Sequence, residues 1–461
     1  MLLIKVYHSF NKRILLRQYS NKKYTKNNRG ILIFEYNYLI KEKISIVSNN
    51  IKDELFKNSF FQLATTMFNN GIGFLFWLIA TRYYSVEEVG IATVLMSSLN
   101  IILILSTLGL DYSLIRYINT KEKSKILSTC FIVTSTVSLT IGSVFILTAK
   151  YISSSISFLQ SPIYAAIFLI TVLIGSLFFI TGIAFKALRK SNFFLLQYIF
   201  SSLKIALLVP LVFLGGWGIY ISSQLACLAA VLFAYKRFKE YLSVEIDISF
   251  LKDAFNFSLH NYLSRNLYEA PTLILPILIL NLLGEKDAAL FNIAFLIGNF
   301  VLIIPTAICT ALFVEGSYGE NLKTNIIKSV IFIGVLLIPA ISFLNIYSEF
   351  LLNIFGAQYS KASFLLELIS ISSIFVSIHL VYIAIQNIKM KSQVILHINL
   401  IRFVLLGSLG YIMIGKMGII GIGYAWLVTH VLINILIIYL VKKRDIYNKK
   451  RWKAFTKCYH E

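Results

Sequence analysis

Charge is scarce in this sequence, and acid is scarcest. Of 461 residues only 21 are Asp or Glu, against 43 Lys or Arg, and charged residues make up 14% of the chain. Soluble domains carry roughly 25% charged residues, so too little charge is available here to cover a water-facing surface. Cysteine is also rare: Cys130, Cys227, Cys309 and Cys458 form no C-x-x-C pair. Three of them lie inside apolar runs, where a thiol behaves as a small hydrophobe, which argues against a disulfide framework or a zinc site. Enzyme motifs are missing as well: there is no G-x-x-x-x-G-K-[ST], no H-E-x-x-H and no G-x-S-x-G. Gly415, Gly418, Gly421 and Gly423 imitate a glycine-rich loop but open an apolar run, where close helix packing explains them.

What the chain has in abundance is apolar length. Hydrophobic residues make up 57% and the mean hydropathy is +0.77. Runs of about 20 apolar residues recur along it, each long enough to cross a hydrocarbon core of about 30 Å. This excludes a soluble enzyme, a fibrous protein and a disordered chain. Twelve spans are expected, at 58–81, 89–116, 126–149, 162–185, 193–214, 217–235, 255–283, 288–314, 326–348, 362–387, 394–415 and 418–441. Only helices and closed barrels satisfy their backbone in lipid, and these runs are too long and evenly apolar for barrel strands. The fold class is all-α.

Placement of the cations gives orientation. The two ends and every second loop carry 35 Lys or Arg, while the alternate loops carry 5, namely Arg82, Lys150, Lys286, Lys361 and Lys416. By the positive-inside rule both termini face the cytoplasm of a multi-pass cell-membrane protein. The same placement explains the net charge of +22 without nucleic acid as a partner. Residues 1–50 are basic and have no signal-peptide anatomy. They read as a cytoplasmic extension lying on anionic lipid, or as an over-extended start of the reading frame.

The chain repeats itself. Lys52-Asp53 is echoed by Lys252-Asp253, Ser59 by Ser258, and Lys190-Ser191-Asn192 by Lys391-Ser392-Gln393. Val86–Gly90–Val94 corresponds to Glu285–Ala289–Ile293, and Leu207-Leu208 through Gly218-Ile219 to Leu405-Leu406 through Gly418-Ile419. A common offset of about 200 residues makes two six-helix lobes, 51–240 and 241–442, followed by a basic tail at 443–461. An even number of spans per lobe gives both the same orientation, related by a pseudo-twofold axis along the membrane normal. Transporters commonly bind substrate between such halves.

Three cations fall inside spans: Lys204, Arg265 and Arg402. At 1.5 Å per residue they lie roughly 16, 15 and 12 Å into their helices, close to mid-membrane. An ionisable group there costs about 2.5–3.5 kcal/mol on insertion scales, which makes each a functional candidate. Lys204 and Arg402 also occupy equivalent places in the two repeats. Together the three suit an anionic ligand such as a phosphate. Private neutralisation is the alternative: Arg265 pairing with Glu269 four residues on, or Lys204 snorkelling to the interface. Glu269 and Glu367, the deep acids, are candidates for gating or ion coupling, or simply partners for nearby polar groups. Span seven further carries Asn261, Asn266, Pro271 and Pro276, the prolines favouring a kink. His260, His379, His397 and His430 are scattered singly and read as packing or helix–helix hydrogen bonds.

Tyr84-Ser-Val-Glu-Glu-Val-Gly90-Ile-Ala-Thr, followed by Leu108-Gly-Leu-Asp-Tyr-Ser-Leu-Ile-Arg116-Tyr, resembles the first two helices of polysaccharide flippases. So do Phe257-Ser-Leu through Glu269, Gly284 to Ala294 and Gly418-Ile-Ile-Gly-Ile-Gly-Tyr-Ala, the likeness spanning about residues 55 to 442. These flippases form the polysaccharide branch of the multidrug/oligosaccharidyl-lipid/polysaccharide exporter superfamily. The resemblance implies a transporter, not an enzyme, that moves a polyprenyl-pyrophosphate-linked oligosaccharide between leaflets by alternating access. It implies a cationic central cavity, no cofactor, and membrane lipids and glycan-assembly enzymes as further partners. Two departures shift weight onto spans five, seven and eleven: His260 stands where a proline is common, and span one offers only Thr66 opposite Arg265. The rivals are a membrane glycan polymerase or ligase and a cation-coupled drug exporter of the same fold. The longest external connections, about Lys150–Ser161 and Glu349–Lys361, offer little to a polymerase: one acid and two lysines.

The orientation has a direct check. Cysteines placed at Lys239 and Lys286 are expected to be labelled by an impermeant thiol reagent from opposite sides of the membrane. Labelling of both from outside would end the twelve-span topology.

Overall fold

The computed structural model describes residues 54–118, 122–241, 245–317 and 322–458. The basic extension assigned to residues 1–50 lies outside them. The chain forms two compact units, Met1–Phe60 and Phe61–Glu461, and the described part of the first is the opening of helix α1. Among the described residues twelve helices are long and apolar enough to cross a membrane, and no strand occurs.

Lobe one begins with α1 (Glu54–Tyr83) and α2 (Val86–Ser106). Ser85 starts α2 with a reciprocal cap, its hydroxyl accepting from Glu88 N (3.2 Å) while Glu88 Oε2 accepts from Ser85 N (2.8 Å). Then follow α3 (Leu110–Tyr117), α4 (Lys123–Ile152), α5 (Pro162–Ala187), α6 (Ser191–Ser201), α7 (Lys204–Leu208) and α8 (Gly216–Phe238). Pro162 opens α5, where its missing N–H costs nothing. Lobe two comprises α9 (Ile248–Leu283), α10 (Glu285–Ser317), α11 (Leu322–Ile346), α12 (Ser348–Asn353), α13 (Ser363–Ile388), α14 (Ser392–Met417) and α15 (Ile419–Cys458). Asp247 caps α9, accepting from Phe250 N at 2.9 Å.

Two spans expected to be continuous are interrupted. The run 89–116 divides at Leu108 and Gly109, with φ of 47° and 81°, so α2 stops and α3 turns away. A left-handed backbone disfavours a side chain, and the packing here leaves room for none: a Cβ on Gly109 would meet Ser258 Cβ at 2.8 Å. Span five tightens between α6 and α7, where Ser202 and Leu203 stay helical but bond three residues back, and after Leu208 it ends in a 3-10 turn at Val212–Leu214. By contrast α9 passes unbroken through Pro271 and Pro276.

The repeat is written in the backbone. Arg189 and Met390, 201 residues apart, both take the left-handed conformation (φ 56° and 52°) to close α5 and α13. Lys190 N and Lys391 N then bond back to Phe185 O (2.8 Å) and Gln386 O (2.9 Å), the same helix-ending turn twice. Gly215 and Gly418 match in both dihedrals (58°, −143° and 62°, −144°). The structural partner of Gly418 is therefore Gly215 rather than Gly218, because span five, tightened, uses fewer residues than its counterpart α14.

The lobes are sealed at the face away from the basic loops. One continuous core joins them there, with Phe76, Ala80 and Tyr84 from lobe one against Ala288, Phe291 and Phe355 from lobe two. Polar contacts rim it: Arg82 donates to Ile354 O, Ser155 to Glu285, Asn281 to Ile152 O, and Lys286 pairs with Glu87 at 3.1 Å. The Tyr84 hydroxyl, pushed up to about 12 by burial and the Glu88 carboxylate, remains a neutral donor to Leu208 O at 2.6 Å. At the centre of the seal Gly90 lies against the Glu285 backbone, so close that a Cβ would overlap its carbonyl.

Gly90→Ala is thus expected to pry the lobes apart at this face. Cysteines at Glu87 and Lys286 should cross-link readily in the parent protein and poorly in the Gly90→Ala background. Undiminished cross-linking would show that the seal does not depend on this glycine.

Candidate functional site

The three mid-membrane cations do not share a cavity. Lys204 opens α7 after the tightened turn in span five, and its ammonium sits 5.1 Å from the centre of the Phe76 ring. It lines a cavity of about 250 Å³ between the lobes, with Asn69, Asn70 and Gly73 of α1 and Asn299, Phe300 and Ile303 of α10. Phe74 closes this space toward the sealed face, packing edge-on against Phe300 (5.7 Å) and Phe355 (5.2 Å). One cation and three carboxamides meet here, and no carboxylate is among the lining residues.

Arg265 is held elsewhere, by the break in span two. The turn at Gly109 brings α3 against α9, where Ser113 bonds to Ser258 at 2.8 Å and Tyr262 donates to Leu105 O at 2.8 Å. Asp111, buried at that turn, pairs with Arg265 NH1, while NH2 reaches Thr107 Oγ1 at 3.3 Å. The Arg265 partner is thus an acid of the other lobe. Glu269, the helix neighbour expected to pair with it, lies within electrostatic reach of both Arg265 and Asp111 without an ion-pair contact. The pair is not a two-pronged fork: Asp111 Oδ1 and Arg265 Nε are both buried without a hydrogen-bond partner.

Arg402 is walled inside lobe two, 2% exposed. Its Nε donates to His430 Nε2 at 3.2 Å and NH1 to Tyr268 O at 2.7 Å, and its guanidinium stacks on Tyr268 (4.6 Å) and Trp426 (5.5 Å). Arginine only donates, so His430 accepts at Nε2 and gives its Nδ1 proton to Trp426 O at 2.8 Å. A carbonyl, an imidazole and two ring faces are favourable company for a desolvated cation. Glu367 accepts from Ser348 Oγ at 2.8 Å and so ties α13 to the start of α12, apart from all three cations.

Several residues of these sites were not singled out by the sequence. Asp111 left a trace, being a lone acid within the apolar stretch 89–116, and Asn69-Asn70 is an adjacent amide pair inside span one. Asn299 and Tyr268 left none, since which face of α10 or α9 they occupy depends on packing.

The chain matches the profile of a family described as polysaccharide biosynthesis protein, over residues 55–313. A search of curated proteins finds no significant match. Among solved structures it is similar to an inward-facing multidrug resistance MATE-family transporter of the MOP superfamily, at 16% identity over 84% of this chain and 96% of that one, with a TM-score of 0.68. It is also similar to an outward-facing MATE-family transporter of that superfamily, at 16% identity over 84% and 95%, with a TM-score of 0.59. A MOP superfamily transporter from Pyrococcus furiosus, described as having a binding pocket of reverse polarity, aligns at 16% identity over 83% and 94% with a TM-score of 0.57. What these structures share with the chain is the fold.

The partner of Arg265 can be tested by stability. Breaking a largely buried ion pair costs about 3–5 kcal/mol because the remaining charge is stranded. Asp111→Ala is expected to lower the melting temperature in detergent sharply, Asp111→Asn with Arg265→Gln to restore most of it, and Glu269→Gln to change it little. A larger effect from Glu269→Gln would return the pairing to the helix neighbour.

Proposed function

The chain belongs to the polysaccharide biosynthesis protein family of MOP-superfamily membrane transporters, and on that premise we propose that it is a flippase for a polyprenyl-pyrophosphate-linked oligosaccharide. The observation that supports this reading is the Lys204 cavity. An ammonium beside three carboxamides, with no lining carboxylate, suits a ligand that is anionic and rich in hydroxyls. A cationic drug would meet repulsion there without a counter-charge. Lys204 presents its charge to this space at mid-membrane, where an ionisable group is a functional candidate.

In this reading the pyrophosphate engages Lys204 while the first sugars bond to Asn69, Asn70 and Asn299 and the lipid tail stays in the bilayer. The lobes correspond to residues 51–240 and 241–442. Both termini and the basic loops face the cytoplasm of the cell membrane, from which the substrate enters, since the opposite face is sealed at Gly90 and Glu285. Export requires that seal to part and the Arg265–Asp111 seam, on the basic side, to change partners. Glu269, beside that pair, is the group able to receive Arg265 when Asp111 lets go. Enzymes that assemble the glycan on one face and use it on the other are the natural partners.

Proteoliposomes loaded with a polyprenyl-pyrophosphate-linked glycan provide the test. Lys204→Ala is expected to slow flipping by about tenfold or more, the scale of losing one hydrogen bond to a charged group. Lys204→Arg should retain most activity. Normal flipping by Lys204→Ala, or robust efflux of a cationic drug in place of the glycan, would refute the reading.

A further inference from the structure

Lobe two contains a second cavity that shares no residue with the one at Lys204. It measures about 250 Å³ and is lined by Asn261, Arg265, Tyr268, Asn387 and Asn399, with Tyr112 reaching in from α3. Ser392, at the start of α14, belongs both to this cavity and to an adjoining one of about 480 Å³ that holds Lys391 and His260. The pair therefore runs from the basic loops inward to Arg265.

Its chemistry is unlike that of a helix seam. Three carboxamides, two phenol rings and a guanidinium face one small space. Asn399 is 3% exposed; its amide donates to Ser264 O (3.0 Å) and Ser264 Oγ (3.1 Å), and its Oδ1 is left without a partner. A buried acceptor of this kind costs stability unless something donates to it. Arg265 has capacity to spare, because Asp111 takes one N–H rather than the fork and the contact to Thr107 is long. The Tyr112 hydroxyl, also lining the cavity, is a further donor.

We propose that this cavity is a sugar-phosphate site, distinct from the Lys204 site: a single pyranose bonds to Asn261, Asn387 and Asn399 against the Tyr268 and Tyr112 rings, with its phosphate on Arg265. The amides and the two rings suit a pyranose, whose hydroxyls they can bond and whose face they can pack against. Lys391 at the mouth attracts the anion, and Asp111 and Glu269 oppose it, so a phosphate on Arg265 competes directly with the Asp111 pair. Occupancy would thereby loosen the α3–α9 seam between the lobes. The inference rests on the flippase reading only for the choice of a sugar phosphate as ligand.

Calorimetric titration of the full chain in detergent tests it, with a hexose 1-phosphate in one arm and a polyprenyl-phosphate-linked hexose in the other. The expected result is saturable binding that survives Lys204→Ala. Binding should weaken about tenfold or more, the loss of a charged hydrogen bond, in Arg265→Gln combined with Asp111→Asn, which strands no charge. It should weaken likewise in Asn261→Trp, where an exposed residue at the cavity is enlarged and folding is spared. Binding in the soluble arm identifies a free sugar phosphate; binding in the lipid arm alone identifies a lipid-linked sugar phosphate held apart from the Lys204 cavity; either supports the site. Equal binding of inorganic phosphate or of plain hexose would overturn it. So would an absence of binding, or binding lost in Lys204→Ala and unchanged in Asn261→Trp. Because the Lys204 variant separates the two cavities, failure of the flippase reading leaves a different signature: normal transport by Lys204→Ala with hexose-phosphate binding intact.

Discussion

Hydrocarbon offers no hydrogen-bond partner, and most of this structure follows from that constraint. Every backbone polar group within a span must be satisfied by the protein itself. Twelve membrane-spanning helices among the described residues are the outcome, and many hydroxyls inside them are treated alike. Thr93, Ser106, Thr171, Ser222 and Ser372 each donate to a carbonyl three or four residues back, so a polar residue costs little in an apolar helix. Where the ladder is interrupted, the freed groups are covered or face a cavity. The Gly109 break is roofed by Ser258 and Tyr262 of the other lobe, and the tightened turn before Lys204 adjoins the inter-lobe space.

The same constraint sorts the cations. Each of the three in mid-span needed company, and each found a different kind. Arg265 took a carboxylate across the seam; Arg402 took a carbonyl, an imidazole and two aromatic faces; Lys204 took a ring and an open, amide-lined space. The contrast between Lys204 and Arg402 is instructive. Their helices begin from matching turns at Lys190 and Lys391, but Lys204 is the fourteenth residue on and Arg402 the eleventh, so the backbone register does not make them the equivalent pair that the sequence repeat suggested. In α14 an unbroken helix carries Arg402 into the lobe, where His430 and Trp426 of α15 enclose it. In span five the turn at Ser202 and Leu203 tightens while staying helical, and Lys204 faces α1 and α10. Arg402 is thus an internal brace of its lobe and Lys204 a cavity charge.

The lobes also divide their contacts by face. Away from the basic loops they meet through a broad apolar core, where the Gly90 backbone approaches that of Glu285. On the basic side they meet along α3 and the first half of α9, through Ser113, Tyr117 and the Asp111 ion pair. Apolar packing is dense and all-or-none, whereas a buried ion pair can be exchanged for another anion. A molecule so arranged can pivot with one seam as a polar latch and the other as an apolar seal.

Hydropathy alone fixed the number and approximate limits of the spans, because about 20 apolar residues admit one arrangement in lipid. The excess of Lys and Arg in alternate loops points to a sidedness by the positive-inside rule, and an offset of about 200 residues points to the two lobes. The sequence could mark Lys204, Arg265 and Arg402 as costly, since cost depends on depth alone. It could not say who meets whom. Asp111 and Arg265 are 154 residues apart, and their meeting depends on a helix break at Gly109 that an apolar run conceals. Nor does composition tell which side of a helix faces a cavity, because lipid and protein interior are equally apolar and the helical stripe that marks a soluble core is absent. Azimuth, helix breaks and the separation of the Lys204 cavity from the Arg265 cavity were decided by tertiary packing, where side-chain shape replaces hydrophobicity as the determinant.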